Sequence, residues 1–372
     1  MKKVLIMAAA ALVAVSCNKK NTEPPVPPVL PDTAAPVSFG ATANVDIVQS
    51  KTTSDVPTTT KLGVYAFKAA TVPANNTGTP GAADAVLWSS ASNLEYVWDA
   101  TLNSGSGAYK ENGSSPKLFW PGSGETSTLS FASYFPYQAN AATGNGVNAY
   151  VLTQDLDDQS AAPDYGFAWA KLEGVGRPDP IASKALVFNY KVAKISLSII
   201  GDGTTVGASG IKMQSGGAGE GIVSVKIYGA STGLYKTYSL DLLTGTPSGA
   251  TDVKKASPIT LKGVDQTGGA APKPSTNAYV DAVAYLAPST DNGLKADGVT
   301  VEIVYNDGTL AQTYTATIKA NGSTLTGDAA LANGLVAGNN YKYTLKLGKA
   351  GITFTGTVTD WVDVAGGEIP LE

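Results

Sequence analysis

Residues 299–318 read VTVEIVYNDGTLAQTYTATI, and this stretch decides the fold class. Val299, Val301, Ile303 and Tyr305 alternate with Thr300, Glu302 and Val304, a period of two that places one apolar row on a single face of a strand. Asn306 leads into Asp307-Gly308, a dipeptide favoured in two-residue type I′ hairpin loops. Tyr314, Ala316 and Ile318 then return opposite Thr313, Thr315 and Thr317. Two alternating runs joined by such a turn predict an antiparallel hairpin with one face buried and one wet. The same pattern spreads outward in both directions. Tyr341, Tyr343, Leu345 and Leu347 form a run, Gly348-Lys349-Ala350-Gly351 turns it, and Ile352, Phe354, Gly356 and Val358 come back. Upstream, Leu62, Val64 and Ala66 alternate with Gly63, Tyr65 and Phe67, and Leu129 and Phe131 run into Tyr134-Phe135-Pro136-Tyr137. Phe188, Tyr190 and Val192 share a face, after which Ile195, Leu197 and Ile199 continue with opposite parity. A β-bulge near Ala193-Lys194 would bring both runs to one core. The expected class is all-β, built as sandwiches.

Composition agrees. The chain has 372 residues, about two domains at ordinary size, and is 43% hydrophobic, enough to bury a core. Only 15% of residues are charged, while 41 Gly and 21 Pro supply turns and starve long helices. Histidine is absent, which removes the commonest general base and metal ligand. A single cysteine excludes an internal disulfide and a thiolate zinc cluster. The net charge of −4, with one arginine, Arg177, offers no basic field for nucleic acid. Asp155, Asp157 and Asp158 lack the glycine and distal glutamate of an EF-hand, and Ser215–Gly221 lacks the Lys-Ser/Thr of a phosphate loop. Both read as solvated loops, so no metal, cofactor or enzymatic activity is expected. Trp88 and Trp98 flank a polar loop and are the candidates for a ligand face that stacks sugars; the other tryptophans sit beside strand patterns and read as core. Loops at 69–83, 102–116 and 201–220 are expected to project from sandwich ends.

The N-terminus reads as an export signal over residues 1–16: Lys2 and Lys3, then an apolar run from Val4 to Val15 too short to cross a bilayer as a helix. Ala14-Val15-Ser16-Cys17 resembles the site at which a signal peptide is cut before a cysteine that receives lipid, palmitate among its acyl chains. The lone cysteine of the chain, Cys17, is therefore the expected lipidation site. Residues 17–37 form a Pro-rich tether, in which Pro24, Pro25, Pro27, Pro28, Pro31 and Pro36 favour a stiff, extended spacer. The Gly/Pro-rich stretch 174–180 marks a boundary, giving an N-terminal β-sandwich over 38–184 and a C-terminal one over 185–372.

Several segments, in order, resemble the fimbrillin family. These are Val37-Ser-Phe39 with a Lys/Thr-rich loop and Leu62-Gly-Val-Tyr-Ala-Phe67, then Leu118-Phe-Trp-Pro121 and Leu129–Tyr137. Asp164–Ala170, Phe188–Ile195, Leu335–Leu345 and Thr357–Trp361 follow. The resemblance implies two tandem transthyretin-like, Greek-key β-sandwiches and a subunit of a surface pilus, as stalk, tip or anchor. It further implies an outer-membrane lipoprotein, proteolysis that removes the first strand, assembly with other subunits by donor-strand exchange, and adhesion to host or bacterial ligands. The family's cut commonly follows an arginine; between Phe39 and Leu62 this sequence offers Lys51 and Lys61 instead. The alternative is a cell-surface glycan-binding lipoprotein of the same anchored, all-β type.

Overall fold

The computed structural model describes residues 35–47, 50–56, 58–73, 87–88, 92–113, 118–122, 127–139, 141, 150–160, 165–177, 184–201, 221–262, 280–306, 310–318, 331, 333–348 and 351–360. Among them 59% of residues lie in strands and 6% in helical turns. The first half carries β1 (Ser38–Ile47), β2 (Ser50–Asp55), β3 (Leu62–Phe67), β4 (Leu94–Asp99), β5 (Ala108–Glu111), β6 (Leu129–Phe135), β7 (Val151–Asp155), β8 (Ala168–Val175) and β9 (Ala185–Tyr190). The second carries β10 (Ala193–Gly201), β11 (Gly221–Gly229), β12 (Tyr235–Asp241), β13 (Pro247–Asp252), β14 (Ile259–Thr260) and β15 (Val280–Leu286). A short helix α1 (Asn292–Asp297) precedes β16 (Val299–Asn306), β17 (Ala311–Ile318), β18 (Asn339–Gly348) and β19 (Gly351–Asp360). Alternation did not announce α1, which is a local event: the Asp291 carboxylate caps the backbone N–H groups of Gly293 and Leu294.

In the second half, β15-β10-β18-β19 and β14-β11-β16-β17 form two four-stranded sheets. The rows expected to face inward at 299–305, 341–347 and 195–199 do so. Val299, Val301, Ile303, Tyr305, Tyr341, Tyr343, Leu345 and Leu347 are buried in one cluster with Ile195, Leu197 and Ile199. The hairpin at 299–318 differs in its turn. Asn306 pairs with Ala311, so four residues bridge the strands where Asp307-Gly308 alone was expected. A slip of two keeps every side chain on its face, so alternation cannot distinguish the two registers; the observed one sets buried Ile318 opposite buried Val299.

The first half holds an eight-stranded sheet whose pairings run β1–β5–β4–β3–β6–β8–β9 and return from β9 to β1, with β2 attached to β1. Its interior is a second cluster containing Phe39, Leu62, Val64, Tyr96, Tyr109, Trp120, Phe131 and Phe188. β3 and β6 are buried along their whole length on both faces. Val64 and Phe131 face this interior, whereas Tyr65, Phe67 and Tyr134 point the other way into the cluster shared with the second half. β5 lies inside the expected projecting loop 102–116; four residues are too few to show a period, and Tyr109 is held by the core.

Three pairings cross the expected division. β9 hydrogen-bonds to β8 and β1. β7 joins β12 and β13 in a three-stranded sheet, with Leu152 opposite Leu240. The change of parity after Val192 is therefore no bulge. Lys191 and Val192 carry the chain out of one sheet into another, and each sheet sets its own inward face.

Candidate functional site

β1 lies inside the first-half sheet, between β5 and β9. Ser38 and Phe39 pair antiparallel with β5, and Gly40 to Ala43 pair parallel with β9. The residues just before it are pinned too. Val37 N donates to Leu118 O at 3.1 Å, Trp120 N donates to Ala35 O at 3.0 Å, and Tyr96 OH donates to Val37 O at 3.3 Å. Ala35 to Val37, the end of the expected tether, are thus part of the folded unit. The 118–120 segment is itself fixed by the buried Glu111 carboxylate, which accepts from Leu118 N at 3.1 Å. Burial, and secondarily that carboxylate, raises the Tyr96 phenol well above its ordinary value.

Val37, Phe39 and Ala41 point inward and are buried. The Phe39 ring meets Phe131 edge-on at 4.9 Å, Tyr96 at 5.7 Å and Trp120 at 6.5 Å between centroids. Removing β1 would unpair β5 and β9 and open this aromatic interior to water. Unpaired strand edges and exposed apolar furrows both favour capture of another strand.

The two lysines occupy different settings. Lys51 lies on β2, opposite Asp46, and among the described residues β2 pairs with β1 alone. Lys61 is exposed and its ammonium pairs with Glu95 at 2.7 Å, the hydrogen bond and charge of Glu95 raising its pKa. Its carbonyl accepts from Tyr137 N at 2.9 Å, and Leu62, next in sequence, is fully buried at the head of β3.

Both tryptophans of the suggested ligand face are half-buried. The half-buried Trp88 donates from Nε1 to Phe119 O at 2.7 Å, and the Lys68 ammonium sits 5.0 Å over its ring. Trp98 meets Tyr109 edge-on at 5.3 Å, and Gly107 lies against its indole. Both pack onto the first-half core. Of the acidic trio, the Asp157 carboxylate pairs with Lys236 at 2.7 Å, while the Asp155 and Asp158 carboxylates accept from local backbone N–H groups. No group of three potential metal ligands occurs among the described residues. Cys17 and the Gly-rich segment 215–220 lie outside the described residues.

The profile of the fimbrillin-like family matches residues 49–361. The chain belongs to the fimbrillin-like family. A curated relative, "Putative fimbrium subunit Fim1C" of Bacteroides uniformis, is 27% identical over 285 residues, covering 72% of this chain and 76% of the relative. A solved structure from Bacteroides ovatus, described as a "putative cell adhesion protein", superposes with a TM-score of 0.55 at 18% identity over 89% of this chain and 99% of its own. One from Bacteroides uniformis with the same description gives 0.51 at 19% identity over 87% and 99%. These structures share the fold. As a fimbrillin the chain is a structural protein of the cell-surface fimbrium, not an enzyme. The resemblance read from the ordered segments is thereby borne out, as is the all-β class.

Proposed function

We propose that this fimbrillin is a pilus subunit that polymerises by exchanging its first strand, β1, for a strand of a neighbouring subunit. The observation that carries the reading is the position of β1. It is joined to the rest of the fold by one short segment, yet it closes the first-half sheet and fills its core with Phe39. Replacement is heterologous, each copy giving one surface and receiving on another, so it propagates as a filament. The export pathway belongs to the same proposal. Cys17 receives lipid after cleavage of residues 1–16, and the tether holds the subunit at the outer membrane. The cut that frees β1 falls after Lys51, because β2 is an edge strand and proteases bind extended chain, whereas the Lys61–Leu62 bond is tied into β3. The tandem organisation is proposed with its crossing at Lys191-Val192, where β9 ends and β10 begins.

N-terminal sequencing and intact mass of the protein taken from cell-surface fimbriae test this. A stalk subunit starts at Thr52, and an anchor or tip subunit starts at lipidated Cys17. Detergent-resistant ladders accompany the first. A strictly monomeric protein without fimbriae, whatever its first residue, would end the proposal.

A further inference from the structure

We propose that the position vacated by β1 selects its incoming strand by an aromatic side chain, so that the partner subunit presents an extended segment of the form apolar, any, aromatic, any, small. This rests on the strand-exchange reading above and names the chemistry of the strand exchanged. The five positions are those of Val37-Ser38-Phe39-Gly40-Ala41. The central site is lined by three rings. Tyr96, Trp120 and Phe131 surround Phe39, two of them edge-on, and Trp120 meets Phe131 edge-on at 5.6 Å. Such edge-to-face contacts favour a ring over an aliphatic group of similar area. Phe39 is fully buried, so a smaller side chain there leaves a cavity walled by aromatics that cannot all collapse inward. The next position sets no strict demand: a Cβ at Gly40 would lie 3.5 Å from the Ala185 Cβ on β9, an ordinary contact, and Gly40 is only half-buried. Ala41 is buried, and a bulky group there would overpack the interior. Val37 adds a buried apolar contact at the other end, beside Leu118.

The mature chain is cut after its first strand, unfolded in guanidinium, and refolded with excess labelled peptide spanning residues 35–43, the released strand then being removed by gel filtration. Parallel samples use the same peptide with Phe39→Trp, Phe39→Leu or Phe39→Ala, and uncut protein serves as the control. The native peptide is expected to be retained. The Leu peptide should bind about 10-fold and the Ala peptide about 100-fold more weakly, from the lost ring contacts and the cavity. The Trp peptide should stay within a few-fold of the native one. If all four bind alike, the aromatic selection is wrong while strand exchange stands. If even the native peptide fails to bind cut protein, or binds uncut protein equally, the strand-exchange reading itself fails. As an independent check, the intact chain carrying Phe39→Leu should unfold at lower denaturant than the one carrying Phe39→Trp; the reverse order would overturn the selection.

Discussion

Gly63, the second residue of β3, is a residue whose importance no periodicity could show. A Cβ there would run into the Tyr134 ring, 2.6 Å from its Cζ, and lie 2.9 Å from Asn93 Oδ1. Tyr134 OH donates to that same Asn93 oxygen at 2.8 Å, and Asn93 Nδ2 donates to Gln138 O at 2.9 Å. The missing side chain therefore leaves room for a polar knot that ties β3, β6 and the start of β4. Gly63→Ala should cost about 3 kcal/mol through overpacking and loss of the knot. Gly105→Ala, at φ +87° with nothing within 4 Å, should cost only about 1 kcal/mol for its backbone conformation. Denaturant midpoints of the two variants decide; equal losses would contradict the knot. From sequence, Gly63 looks like any interruption of an apolar run. Phe39 could be read as buried, but its three ring neighbours come from segments some 57 to 92 residues away, beyond any local pattern.

At the scale of elements, β10, β16 and β18 were readable because along each of them buried residues alternate with less buried ones over most of the length. β3 and β6 were readable as strands but not as doubly covered ones, since apolar side chains on both faces erase the alternation. Register and crossing points were the least accessible, as the turn after Asn306 and the crossing at Lys191 both illustrate. The suggested processing sites were found as lysines, but only their surroundings separate them. Limited trypsin digestion of the intact chain should cut after Lys51 well before Lys61, because the second bond needs release of the Lys61 carbonyl from Tyr137 and of Leu62 from the core. Early appearance of a fragment beginning at Leu62 would refute this ordering. Glu95→Gln, which removes the ion pair but not these restraints, should speed cleavage at Lys61 only slightly.

For the molecule as a whole, the dominant fact is that one buried cluster runs from Tyr65 and Phe67 through Tyr150 and Trp169 to Leu345 and Leu347. Trp169 of β8 donates from its indole to Leu242 O at 2.9 Å, and Gly245 packs on its ring, so the two halves meet through side chains and backbone alike. The halves should consequently melt in a single calorimetric transition; two resolved peaks would show that the shared cluster does not couple them. The transition should also weaken together in alkali. Burial pushes Tyr65, Tyr134 and Tyr238 in the shared cluster, and Tyr96 in the other, above the ordinary phenol value of 10.0, and Tyr109 up to about 12. A phenol raised on folding lends full stability below its unfolded pKa, and that contribution disappears as pH climbs through the folded one. Midpoints should hold steady below about pH 10 and fall above it, in step with phenolate absorbance.

The parallel run of Gly40–Ala43 along β9 has a mechanical consequence. A load entering ahead of β1 and leaving through β10 draws the beginning of β1 and the end of β9 in opposite directions. Two parallel strands gripped in this way slide past each other in shear, so their bonds share the force instead of parting one after another. The fold would thus resist a pull on the chain ahead of β1, and a cut in the backbone after β1 leaves that shear geometry unchanged.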